Sequence, residues 1–328
     1  MSDSDLLRSG ALERTDKVLS ASATSRENLA LRDVSEETQP RAVAASKPPR
    51  LPRSCCLLAS GFFMEFLGTG GVIDPNRLGS HNLRDEKVGL LYTSRAGFLD
   101  IGHVRDLADQ TNWIYEQIVS TVRATGTMPG KVQSLHGFAQ LRGSISPQNW
   151  IDLAGSISYL DGVTYEIFTY DRFKPGMHSS AFSPEDLPSN FLGIRAAMKA
   201  LEAGSVFDRA FEATLAGLLG GLGVMPRNEA MRAFSNIEKR WIAPNAAYSN
   251  EYLVRRNLKG NIWQAGHPSD DVPVDWILPV SRFSQYNVWF DFTFDDSGTK
   301  IRQSEIGDEL RRIASDAIRR YGSNALEP

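Results

Sequence analysis

The run Phe98-Leu99-Asp100-Ile101-Gly102-His103-Val104-Arg105-Asp106 holds the residues best suited to do chemistry. His103 and Asp106 stand three apart, and on a helix that spacing brings two side chains to one surface. A carboxylate beside an imidazole fixes its tautomer and raises its basicity, which serves either metal ligation or general-base work. Asp100, three residues before His103, is a second oxygen ligand or the cap of the helix. Just upstream, Ser94-Arg95-Ala96-Gly97 reads as a tight strand-to-helix turn in which Arg95 brings a fixed cation. The first amides of the helix would face an anion there. The plainer reading of His-x-x-Asp is an exposed histidine paired with an acid.

These residues need a long helix to carry them, and the sequence supplies one from Phe98 to about Val122, closed by Gly126 and Pro129. At roughly 100° per residue it has three faces. Val104, Leu107, Ala108, Thr111, Tyr115, Ile118 and Val122 form a core stripe, and Arg105, Asp109, Asn112, Glu116 and Arg123 a solvent stripe. The third row, Leu99, His103, Asp106, Gln110, Trp113 and Gln117, suits a cleft or a polar partner. Before the helix, Gly89 to Thr93 reads as a buried strand. After it, Lys131 to Ile145 alternates like a strand and Pro147 opens a helix through Tyr159. Val163 to Tyr170 fits helix or strand. Ser183 to Asp186 resembles a helix cap leading to a helix through Leu201, and two more helices cover Val206 to Gly217 and Asn228 to Trp241. Val288 to Phe294 alternates as a half-buried strand, and Glu305 to Tyr321 is an amphipathic helix. The expected class is α+β: a mainly helical single large domain with short strands, residues 52–328, behind a disordered arm and Pro-rich linker, residues 1–51. The first 53 residues contain no aromatic side chain and end in Lys47-Pro48-Pro49-Arg50-Leu51-Pro52. Such a segment buries too little apolar area to offset the entropy of ordering it.

Several chemistries are excluded. The remaining histidines, His81, His136, His178 and His267, make no His-Glu-x-x-His helix, and neither a P-loop nor a dinucleotide glycine fingerprint is present. Two cysteines among 328 residues cannot build a disulfide scaffold or a multi-thiolate zinc site. With 36 Lys and Arg against 39 Asp and Glu, the net charge of −3 argues against nucleic acid as a partner. Arg255, Arg256 and Lys259 form a small basic cluster that reads as a solvated face in preference to a phosphate site. The apolar stretch Cys55 to Met64 falls far short of the ~20 residues a transmembrane segment needs. The aromatic residues Trp113, Tyr115, Trp150 and Trp263 suit either core or a cleft for a small-molecule, peptide or sugar substrate.

Four stretches together carry a resemblance: Pro52-Arg53-Ser54-Cys55-Cys56, Val72 to Pro75 with Leu78 to His81, Gly89 to Asp106, and Ser179 to Asn190. With them the chain resembles a bacterial family catalogued as domain of unknown function 4056, from about Pro52 to Arg195 and more faintly to Tyr321. The resemblance implies an envelope location, since many relatives look like exported proteins or lipoproteins, whereas the polar arm by itself implies a cytoplasmic one. It also implies a cysteine where Ser94 stands and a histidine where Tyr165 stands, before Glu166. Two readings follow. In the first the chain is a hydrolase whose catalytic residues are His103, Asp106, Glu166 and Arg95, with a divalent metal held by His81, His103 and Asp106. In the second it is a non-catalytic envelope or interaction protein in which the same residues form a structural polar network.

Overall fold

A computed structural model describes residues 71–82, 85–141, 144–172, 180–241, 253–258, 263–264, 267–268, 288–294 and 299–326. The polar arm, the Pro52 to Cys56 motif and the apolar stretch after it lie outside the described residues.

Leu90–Thr93 (β1) and Gly97–Asp100 (β2) pair antiparallel, with Thr93 opposite Gly97. The Ser94 to Gly97 segment is therefore a hairpin turn, and not the strand-to-helix turn that the sequence suggests. Gly97 takes φ +72°, a conformation glycine adopts without cost, and Thr93 Oγ1 closes the turn by donating to the Gly97 carbonyl at 3.0 Å. Phe98 and Leu99 thus belong to a strand. The helix starts three residues later than expected, as Ile101–Thr125 (α1), because the Asp100 side chain accepts from Gly102 N at 2.8 Å and caps it. Gly126 ends α1 in the left-handed conformation.

Lys131–Gln133 (β3) and Phe138–Leu141 (β4) divide the expected long strand into a hairpin. Trp150–Arg172 (α2) follows a short 3-10 turn at Pro147–Asn149. It resolves the ambiguity at Val163 to Tyr170 as helix despite β-favouring side chains. Packed between neighbours, α2 satisfies its buried hydroxyls internally: Ser156 Oγ donates to Asp152 O and Thr164 Oγ1 to Leu160 O, both at 2.7 Å. Asp186–Glu202 (α3), Phe207–Gly221 (α4) and Arg227–Trp241 (α5) come next, then the two-residue strands Trp263–Gln264 (β5) and His267–Pro268 (β6). Val288–Phe294 (β7) and Thr299–Arg302 (β8) join β3 and β4 in an antiparallel sheet of order β3-β4-β7-β8. Ile306–Tyr321 (α6) is the last long helix. The fold is α+β and mainly helical. Among the described residues no helix is long and apolar enough to cross a membrane.

Helices α1, α2 and α3 pack against one another in pairs. They approach closely because glycines lie at the crossings. A methyl carbon at Gly193 on α3 would stand 2.1 Å from Val104 O on α1, and one at Gly155 on α2 would stand 2.8 Å from Met198 Sδ on α3. Elsewhere two expectations fail for one reason. Arg105 and Asp109, placed on a solvent stripe by helical period, are buried because Leu78, Gly79, His81 and Glu86 lie over that face. The third row instead meets a polar partner: Gln117 bonds both to the amide of Gln133 at 3.0 Å and to its carbonyl at 2.9 Å, and Gln110 Oε1 accepts from Leu135 N at 3.2 Å. Trp113 is buried, and Tyr115 and Trp150, both partly exposed, pack against the core. The Trp263 side chain lies outside the described residues.

Two glycine substitutions separate packing from backbone propensity. Gly193→Ala should lower the unfolding free energy by about 1–3 kcal/mol or more in urea titration, because backbone atoms must move. Gly217→Ala, on exposed α4 surface with nothing within 4 Å of an added carbon, should leave stability unchanged or raise it by up to ~1 kcal/mol. Equal effects at the two positions would contradict the close-approach account.

Candidate functional site

His103 is the third residue of α1, Glu166 lies in α2 and Asp186 is the first residue of α3. One ligand atom from each can be chosen so that all lie within 4.8 Å of one another. Local bonding dictates this meeting. The Asp100 amide donates to Ser189 Oγ at 2.8 Å, and Ser189 Oγ donates to Glu185 O at 2.6 Å, which ties the start of α1 to the start of α3. Each carboxylate is then aimed by a backbone amide. Phe182 N donates to Glu166 Oε2 at 2.8 Å, and Ser183 N donates to Asp186 Oδ2 at 2.8 Å. Phe182 holds φ +57°, rare for a non-glycine residue, and its carbonyl accepts from Asn257 N at 2.9 Å. Strain of this kind persists only where surrounding bonds over-determine the backbone.

The remaining oxygen of Asp186, Oδ1, faces His103 Nε2 at 3.2 Å, off the alignment that a hydrogen bond requires. Four residues on, Asn190 Oδ1 is also buried and accepts no hydrogen bond. The electrostatics are lopsided. Glu166, Glu185 and Asp186 are almost completely buried, with one imidazole beside them. Burial pushes the Asp186 carboxyl well above the usual aspartate range, and the neighbouring Glu166 charge raises it further, while His103 lowers it. Glu185 is pushed up to about 7, chiefly by burial, against the bond from Ser183 Oγ that favours its charged form. The site is rich in acceptors and poor in positive charge.

The expected site residues are distributed over three places. His103 and Glu166 come together. Asp106 is buried one turn further along α1, outside the convergent trio. Asp100 is the helix cap. Arg95 sits in the hairpin turn, where its guanidinium donates to Gly221 O at 3.1 Å; the four residues of β2 separate that turn from α1 by about 13 Å.

His81 belongs to a second cluster with Asp109 and Asp208. Its Nε2 stands 2.8 Å from Asp109 Oδ1, and Arg105 Nη1 lies 3.0 Å from its Nδ1. A guanidinium can only donate, so Nδ1 accepts and the proton resides on Nε2, pointing at Asp109. Both ring nitrogens are thereby used, which suits an anchor better than a metal ligand. Glu212 Oε1 holds the His81 amide at 2.5 Å, and the imidazole lies 4.4 Å from the Phe211 ring.

Sequence reading missed Asp186 as a site residue because its type and place fit a cap. The Ser179 to Asn190 motif was the available signal. It also missed a histidine and carboxylate pair, His136 Nδ1 and Asp161 Oδ2 at 2.7 Å, with His136 stacked on Tyr165 at 4.3 Å. Arg256 is fully buried, so the basic cluster is not a solvated face; Lys259 lies outside the described residues.

Two outcomes follow. His81→Ala should cost about 3 kcal/mol in denaturant unfolding, since it removes a buried partner of both Asp109 and Arg105 and empties the space beside the Phe211 ring; an unchanged midpoint would refute the anchor role. For Glu185, the raised folded value means that its contribution is fully present below the ordinary value near 4.5 and is lost as pH rises through about 7. The stability advantage of Glu185→Gln over the metal-free parent should therefore grow between pH 4.5 and 7.5, read from thermal midpoints; a constant offset would contradict it.

No curated protein and no solved structure matches the chain. A family model does, over residues 72–265, which takes in both the hairpin and the three helices that carry His103, Glu166 and Asp186, and which begins after the Pro52 to Cys56 motif. The chain therefore belongs to the DUF4056 family, described as a protein of unknown function.

Proposed function

We propose that this protein is a metal-dependent hydrolase whose divalent cation is held by His103 Nε2, a Glu166 oxygen and Asp186 Oδ1. The observation that carries this reading is the convergence of an imidazole and two carboxylates where Asp186 Oδ1 and Asn190 Oδ1 are buried with no hydrogen-bond donor. Buried acceptors without donors are costly, and a cation supplies what they lack. One nitrogen and two carboxylate oxygens suit first-row divalent ions such as zinc or manganese.

The residues themselves perform the positioning. The Phe182 and Ser183 amides fix one oxygen of each carboxylate and so orient the other. To hold a cation, His103 would present Nε2 from the first turn of α1 as the neutral ring, with its proton on Nδ1. When bound, a divalent cation lowers the pKa of a coordinated water toward neutrality and so supplies a hydroxide nucleophile. Relative to the expectation from sequence, Asp186 replaces His81 as a ligand, Glu166 changes from a catalytic residue outside the ligand set to a ligand, and Asp106 and Arg95 leave the centre.

The rival reading, a structural network, draws on the near-complete burial of every member. Metal analysis of the purified chain separates the two. We expect about one equivalent of zinc or manganese and a thermal midpoint several degrees higher with metal than with chelator. His103→Ala and Asp186→Asn should each lower metal affinity at least tenfold. No bound cation, identical melting in chelator, and unfolding of His103→Ala would establish the structural network instead.

A further inference from the structure

Arg256 lies on the far side of the peptide that Glu166 grips. The Phe182 amide bonds Glu166, while the preceding carbonyl, Ala181 O, accepts from Arg256 Nη1. Asn257 continues the same stitching: its amide donates to Phe182 O at 2.9 Å and its Nδ2 to Pro184 O at 3.1 Å. The backbone of Arg256 is itself fixed, donating to Ala325 O at 2.9 Å. Arg256 is 1% exposed, yet its Nε and Nη2 make no aligned hydrogen bond, the Tyr321 hydroxyl approaching without the required alignment. The Tyr170 ring lies 5.0 Å from the guanidinium carbon and offers a face, not an acceptor. Burial lowers the Arg256 pKa, while Tyr170, Tyr321 and Glu166 favour its charged form.

A buried arginine that spends one nitrogen on a carbonyl and leaves the other two without an aligned acceptor is unusual, because the fork of a guanidinium is suited to two oxygens of one anion. The acceptors without donors lie on α3, at Asp186 and Asn190, and the donors without acceptors lie on Arg256. Glu166 and the strained Ala181-Phe182 peptide join the two sets. An oxyanion on the guanidinium would lie across the Ala181-Phe182 peptide from Glu166, and phosphoryl and carboxylate ester hydrolysis uses an oxyanion site of this kind together with a cation.

We infer that Arg256 forms an oxyanion subsite beside His103, Glu166 and Asp186, and that the substrate carries a phosphate or carboxylate group. The inference rests on the hydrolase reading for its chemistry, but its binding test does not. The full chain is titrated with inorganic phosphate and, separately, with acetate, against chloride at equal ionic strength. Each titration is run in chelator and again after zinc loading, with thermal midpoint and calorimetric heat as readouts. Phosphate or acetate should raise the midpoint saturably in chelator, beyond chloride. Arg256→Lys, which keeps the charge and loses the fork, should weaken that binding at least tenfold while taking up zinc like the parent. Arg256→Met should abolish it, and if that variant does not fold, Arg256→Lys decides the matter. A response to phosphate alone assigns phosphoesters, and an equal response to acetate assigns carboxylates. Anion binding that needs zinc and is untouched in Arg256→Lys would place the anion on the metal and overturn the inference while leaving the metal centre standing. No response beyond chloride in either condition would overturn it as well. Loss of zinc uptake in the parent, with the chelator result intact, would remove the hydrolase reading and spare the oxyanion subsite.

Discussion

The closeness of α1 to α3 governs the rest of the structure. At Gly193 the backbone of one helix comes so near the Val104 carbonyl of the other that no side chain fits between them. That contact sits one residue from His103 along α1 and two turns from Asp186 along α3. It determines how far the imidazole stands from the carboxylate. The bonds from Asp100 to Ser189 and from Ser189 to Glu185 then fix the helical register at the same end. Helix α2 enters the same junction through small residues, with Gly162 against Asn190 and Gly155 against Met198, and it delivers Glu166 into the gap. Interiors packed at this density have little freedom to relax, so the site's geometry and the stability of the three helices are one property.

Charge follows from that packing. Bringing three helices together over polar side chains buries acids that in water would repel weakly and be screened. Here Asp186 and Glu185 hold their protons far more tightly than usual, because burial penalises the ion before any neighbour acts. The backbone has been bent to serve these groups: Phe182 takes a left-handed conformation and donates its amide to Glu166. A polar cluster that only filled space would be served as well by apolar residues of the same volume, without strain and without orphaned acceptors. His81 offers the contrast within the same molecule. Its two nitrogens are both satisfied, its ring is packed on phenylalanine, and it ties its own stretch of chain to α1 and α4. One histidine cluster is closed, and the other is left with unmet acceptors.

The two arrangements explain where the sequence could be read and where it could not. His103 and Asp106 at helical spacing were legible because neighbours along a helix are set by local geometry. Asp186 was not, since its local signature is a cap and its encounter with His103 depends on helices separated by some eighty residues of chain. Arg105 and Asp109 were misread as solvent-facing for the converse reason. Helical period assigns residues to faces but does not say what covers a face, and Leu78, Gly79, His81 and Glu86 cover this one. The element after the turn at Arg95 was misread because Phe98 and Leu99 suit a helix start as well as a strand, and only pairing with Tyr92 and Leu91 decides between them. Arg256 looked like surface because it adjoins Arg255 and Lys259, and its burial comes from contacts with Ala181 and Tyr170.

Taken alone, the sequence determined the α+β class, the existence and order of the main helices, the turn at Gly97 and the chemically capable His103. These rest on periodicity, capping and glycine conformations, which are properties of short stretches of chain. The tertiary structure decided the partners. Whether His103 meets His81 or Asp186, whether Glu166 faces a site, and whether Arg256 faces water are questions of distance between elements remote in sequence. Those distances are set by how close two helix backbones can come, here by a glycine hydrogen facing a carbonyl oxygen, and no residue pattern within either helix states that distance.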